Sequence, residues 1–162
     1  MDPIDKGATF SVDGQQRYKL WRIWDRNQGL VLFVMLNPSK ADAIDDDRTI
    51  TKCTKLAKAW GYGGFYVGNL FAKRATNPMN LHEYLRINTV QDKRNERSLM
   101  EMREASKAAI VAWGNHASRY PEQVQSVLAL IGNCSALRIT KAGHPSHPLY
   151  LPYGILPERF KK

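Results

Sequence analysis

The sequence predicts an α/β fold: a three-layer sandwich with a mainly parallel, four-stranded central sheet and an N-terminal β-hairpin. Three observations predict it. Short apolar runs alternate with helical periods along the chain, the pattern of strands joined by helical crossovers. The apolar runs are unbroken rather than alternating, which suits strands covered on both faces. Asp13-Gly14 separates two β-rich segments, a hairpin signal. The chain has 162 residues, 43% of them hydrophobic and 24% charged, which suits one domain with a real core and excludes a collagenous or disordered chain. The expected organisation is a single α/β domain over 1–162. Residues 1–29 extend the sheet as a hairpin, and 158–162 form a frayed basic tail.

The elements follow in order. Phe10 and Val12, the Asp-Gly turn, then Tyr18, Leu20, Trp21, Ile23 and Trp24 make the hairpin. Leu30 to Leu36 is continuous and apolar, a buried strand that stops at Asn37-Pro38 because proline cannot donate to a ladder. From Arg48 to Trp60, the residues Ile50, Cys53, Leu56, Ala57 and Trp60 share one helical face, with Lys52, Lys55 and Lys58 mostly off it. Phe65 to Phe71 is a second strand, Leu81 to Arg86 a short helix, and Val90 to Lys107 a long polar helix. Ala108 to Trp113 is a third strand and Pro121 to Ile131 a helix. Ala136 to Thr140 is a fourth strand, running into a proline-rich loop.

Composition narrows the function classes. The longest apolar run is far too short for a membrane span, and the N-terminus has no apolar signal-like stretch. Only two cysteines occur, Cys53 and Cys134, without zinc spacing, so two free thiols in a reducing cytoplasm are expected. The net charge is +9, and residues 48–107 carry most of the excess. Such a surface suits a polyanionic partner. Nucleic acid, DNA ahead of RNA, or a nucleotide is the expected partner, with no membrane; the oligomeric state is left open. No GxGxxG, P-loop or GxSxG motif is present.

In open α/β sheets, ligands bind beyond the carboxyl ends of the strands. The four exits carry Asn37-Pro38-Ser39; Asn69 with Lys73 and Arg74; Trp113-Gly114-Asn115-His116; and His144-Pro145-Ser146-His147-Pro148. In order, the segments MLNPS, VGNLF, AAIVAWGNHA and GHPSHPLYL resemble the motif series of the uracil-DNA glycosylase superfamily, over about Leu30 to Leu151. The sequence resembles more closely an uncharacterised family, domain of unknown function 1643, through LNPSKAD, NLFAKRAT, AWGNH and GHPSHPLYLP.

The glycosylase resemblance implies a uracil-DNA-glycosylase-like fold and hydrolysis of a base N-glycosidic bond, without a cofactor. By it, Asn37 and His144 are the catalytic residues. Asn37 orients the attacking water, and His144 stabilises charge developing on the leaving base. Asn69 hydrogen-bonds the edge of a flipped base. Pro38, Ser39, Ser146 and His147 line the substrate, and Lys73 and Arg74 supply phosphate contacts. Met35 stands where the glycosylase motif has glycine, and His147 is an addition to the histidine loop.

The acidic run Asp42, Asp45, Asp46 and Asp47 lies outside the glycosylase motifs, though the resemblance to domain of unknown function 1643 includes it. It reads either as capping of the helix that starts at Arg48, or as a carboxylate site at Asp42, Asp46 and Asp47 able to take Mg²⁺. Two further functions stay open: a non-catalytic nucleic-acid-binding module on the same scaffold, and a metal-dependent nucleotide or phosphodiester hydrolase using that run.

Overall fold

A computed structural model describes residues 2–88 and 92–161. Among the described residues it has four α-helices and one seven-stranded mixed sheet. The strands are β1 (Asp5–Phe10), β2 (Arg17–Ile23), β3 (Leu30–Met35), β4 (Gly64–Asn69), β5 (Ala108–Val111), β6 (Ser135–Ala136) and β7 (Glu158–Arg159). Their order across the sheet is β1-β2-β4-β3-β5-β6-β7. The pairings β4–β3, β3–β5 and β5–β6 are parallel, and β1–β2, β2–β4 and β6–β7 are antiparallel.

The sheet is seven-stranded and mixed where a four-stranded, mainly parallel one was expected. The hairpin joins it through β2, which pairs with β4 from Leu20↔Val67 to Ile23↔Gly64. The fourth strand is only Ser135–Ala136, and Ile139 forms an isolated bridge to Pro145 instead of extending it. The residues expected as a frayed tail include β7, which pairs with β6, and Phe160, whose ring lies edge-on to Trp113 at 6.4 Å.

The helices are α1 (Arg48–Ala59), α2 (Pro78–Ile87), α3 (Lys93–Glu104) and α4 (Pro121–Ile131). Each start has a local cause. Asp47, Asn77 and Asp92 accept backbone N–H bonds in the first turns of α1, α2 and α3, and Pro121 opens α4. The long helix expected from Val90 begins at Lys93; Val90 itself lies outside the described residues.

α1 covers one face of the sheet, burying Ile50, Cys53, Leu56 and Ala57 against Val31, Phe33, Phe65 and Val67. Leu81, Leu99, Met102, Val124 and Val127 of α2, α3 and α4 pack on the other face against Leu32, Val34 and Val111. Gly68 allows that second layer to approach. A Cβ there would stand 2.6 Å from Leu99 Cδ2 and 2.7 Å from Met102 Cε. Among the described residues, no helix is long and apolar enough to cross a membrane.

Candidate functional site

A cleft of about 720 Å³ lies at the carboxyl ends of the parallel strands, a size suited to one small ligand. The chain leaves β3 for β4 on one side and later returns to β5 on the other, so the winding reverses at β3. The cleft sits at that reversal, where strand ends open a crevice. Its lining comes from all four exits, from β2 and from the start of α1.

The β3 exit supplies Asn37 and Ser39. Asn37 Nδ2 donates to the carbonyls of Pro38 (3.0 Å), Lys73 (3.3 Å) and Ala75 (2.8 Å). Its donors are thus spent joining two loops, which leaves Oδ1 as the atom able to hold a water. Pro38 is buried and is not part of the lining. Its carbonyl also accepts from Ala75 N.

The β4 exit supplies Asn69, 2% exposed and lining the cleft. Its backbone carbonyl accepts from Asn95 Nδ2 at 3.0 Å. Among the described residues no partner meets its side-chain amide. Both its donor and its acceptor are therefore unspent on the described protein groups.

The β5 exit supplies Trp113, Gly114, Asn115 and His116. Gly114 has φ +74°, and its N–H donates to Pro145 O at 2.8 Å, tying this loop to the histidine loop.

The histidine loop presents its two histidines differently. Thr140 N donates to His144 O at 2.8 Å and His144 N to Thr140 Oγ1 at 3.2 Å, closing a turn through Gly143. His144 does not line the cleft; His147 and Ser146 do. His147 Nδ1 accepts from Leu149 N at 3.2 Å. That bond selects the neutral tautomer with its proton on Nε2. Burial pushes the His147 pKa below its ordinary value, and nearby Asp47 opposes the shift only in part. At neutral pH the ring is therefore an uncharged N–H donor.

The acidic run is pulled apart. Asp42 accepts from Ile44 N (2.8 Å) and Asp45 N (2.7 Å), and these bonds hold its carboxyl below the ordinary pKa. Asp46 accepts from Arg22 Nε at 2.8 Å, and Arg22 Nη2 forms an ion pair with the same oxygen at 2.8 Å. Arg22 is 1% exposed and also donates to Gly7 O, Trp21 O and Asp42 O. Asp47 is the N-cap of α1, accepting from Ile50 N at 2.9 Å and Ala41 N at 3.3 Å. Of the three, only Asp47 lines the cleft. Among the described residues, no group of three His, Cys, Asp or Glu side chains is placed to hold a metal ion.

Lys73 and Arg74 stand on the hairpin side of the β4 exit. Arg74 donates to Ser39 O (3.3 Å) and Gly14 O (3.2 Å), bracing the hairpin turn, and Lys73 reaches Gln15 Oε1 at 2.9 Å. Neither lines the cleft. Lys52, expected off the buried face of α1, is 4% exposed. Its ammonium donates to Leu151 O and lies 3.6 Å from the Tyr153 ring centroid.

One residue was not singled out from the sequence. Arg17, 3% exposed, lines the cleft from β2 and donates through Nη1 to Ala41 O at 2.9 Å. Its Nε is buried without a partner. Its neighbours Gln16, Tyr18 and Lys19 give no local sign of burial, so the sequence carries no signal for it.

The family model described as "Protein of unknown function (DUF1643)" matches residues 17–149, and the chain belongs to that family. Comparison with curated proteins and with solved structures found no match.

Proposed function

We propose that this member of the DUF1643 family hydrolyses the N-glycosidic bond of a base in a nucleic acid or a nucleotide, in the manner of the glycosylases its motifs resemble. One observation carries the reading. Asn37, Asn69 and His147 come from three separate strand exits and line one cleft. The +9 net charge agrees with an anionic substrate.

Each group has a task that its surroundings permit. The Asn69 amide has both a donor and an acceptor to read the edge of a base. His147, neutral and protonated on Nε2, donates to the oxygen on which charge grows as the base departs; a donor so placed contributes roughly 10²–10³ in rate. Asn37 Oδ1 orients the attacking water. An amide cannot take its proton effectively, but the Asp47 carboxylate in the same cleft can. Water oxygen then bonds to the sugar carbon, the bond to the base breaks, the water proton goes to Asp47, and the base leaves with the electron pair.

The test is mass spectrometry of products from oligonucleotides carrying uracil, hypoxanthine or mismatched bases, and from mononucleotides, with EDTA or Mg²⁺. Free base released in EDTA is expected. Asn69→Ala and His147→Ala should each lower the rate roughly 10²-fold or more, and His144→Ala much less. Backbone cleavage that requires Mg²⁺, or binding to oligonucleotides and nucleotides without any product, would overturn the reading.

A further inference from the structure

We infer that the floor of the cleft is an oxyanion site built on Arg17, and that the group it takes is the terminal phosphate of a small phosphate monoester. The inference rests on the cleft being the ligand site proposed above and narrows its substrate to a mononucleotide.

Two independent features converge there. The first is the Arg17 guanidinium, nearly inaccessible, with Nε unpartnered and one carbonyl accepting from Nη1. Among the described residues it has no ion-pair partner within 4.0 Å. The second is the start of α1, twelve residues long, whose Thr49 and Ile50 line the same cleft. A helix start directs the positive end of its dipole into the cleft, and here Asp47 takes the Ile50 N–H, leaving Thr49 as the other first-turn residue in the lining.

Asp47 is the one carboxylate residue in the lining, against Arg17 and Arg138. Its oxygens also accept from Ile50 N and Ala41 N, and the two guanidinium groups outnumber it in the lining. Burial depresses the Arg17 pKa to about 10; Asp47 opposes this, while Arg74 and Arg22 add to it. An oxyanion would supply what the guanidinium lacks among its neighbours: a compensating charge.

Depth selects the ligand. An internal phosphate of a nucleic-acid strand carries a sugar on both sides and cannot be pushed to a floor whose cation is 3% exposed. A terminal monoester can, with its sugar and base trailing toward Asn69 and the exposed Tyr150 at the rim.

The experiment is isothermal titration of the full chain with inorganic phosphate, ribose 5-phosphate, uridine 5′-monophosphate and uridine. Saturable binding of both phosphate monoesters is expected, with uridine at least tenfold weaker than its monophosphate. Arg17→Met should reduce phosphate-monoester affinity roughly tenfold or more, with an unchanged circular dichroism spectrum. If that variant does not fold, Arg17→Lys serves: it keeps the charge, loses the planar fork, and should still bind several-fold more weakly.

No phosphate-monoester binding to the wild-type chain, or equal binding by the folded Arg17 variant, would overturn the inference. Base release from oligonucleotides without phosphate-monoester binding would sink this assignment and leave the hydrolase reading intact. Phosphate binding that depends on Arg17, without any base release, would do the reverse.

Discussion

The two faces of the sheet are built on different principles. Under α3 and α4 the core is almost wholly apolar, from Leu32 and Val34 through Leu99, Met102, Val124 and Val127. Its buried polar groups, Asn95, Ser98 and Ser106, belong to α3 or the turn after it. The α1 side carries Arg17, Arg22, Lys52 and Asn69, all buried. Buried charge is poor at stabilising a fold when hydrophobic packing could replace it. Both faces carry an apolar cluster of similar extent, and the α1 side gives up some stability to hold polar groups at the strand ends. The cleft opens on that second side.

The largest expected effect tests the apolar face. Leu99→Ala removes a side chain that is 0% exposed and should cost about 2–5 kcal/mol by urea denaturation, with ligand affinity unchanged in the folded fraction. A loss of affinity as large as the loss of stability would break the division of labour.

Asp47 tests the other side. Asp47→Ala removes the α1 cap and should cost about 0.5–2 kcal/mol. Asp47→Asn keeps a capping oxygen, so stability should change by only a few tenths of a kcal/mol, while base release falls roughly 10²-fold or more. Equal turnover by wild type and Asp47→Asn would remove Asp47 from the reaction.

The smallest effect is the pH dependence of the histidine loop. The folded His147 pKa lies below its ordinary value near 6.5. As pH falls through 6.5 the unfolded chain takes up the proton first, so stability declines toward the folded pKa and is unaffected well above 6.5. Protonation also removes the Nδ1 acceptor used by Leu149 N. His147→Gln should flatten this part of the urea midpoint against pH; an unchanged slope would show that another group carries it.

Features with a local cause were legible in the sequence. The Asp13-Gly14 turn, the helix Pro121–Ile131 and the capping role of the acidic run depend on neighbours a few residues away. The meeting of strand exits followed from topology alone. What was missed depends on distant partners. Arg17 looks like an edge-strand cation until the carbonyl of Ala41 is seen above it. β7 has two exposed residues and no period, and exists because β6 needs a neighbour. Choosing His147 over His144 required the turn back to Thr140, for which Gly143, at φ +89°, was the only local sign.

The tie between Lys52 and the Leu151 carbonyl has a consequence for how the molecule comes into being. The wall of the cleft from Ser146 to Leu151 docks on a helix formed about a hundred residues earlier. Trp60 Nε1 repeats the link at Ile155 O, 3.0 Å away. Closing so long a loop is slow, because entropy is lost before any contact compensates for it. During synthesis the helices and the early strands are available well before that wall emerges. The cleft thus lacks one wall until the ribbon from Ser146 to Leu151 has been made and has docked on α1.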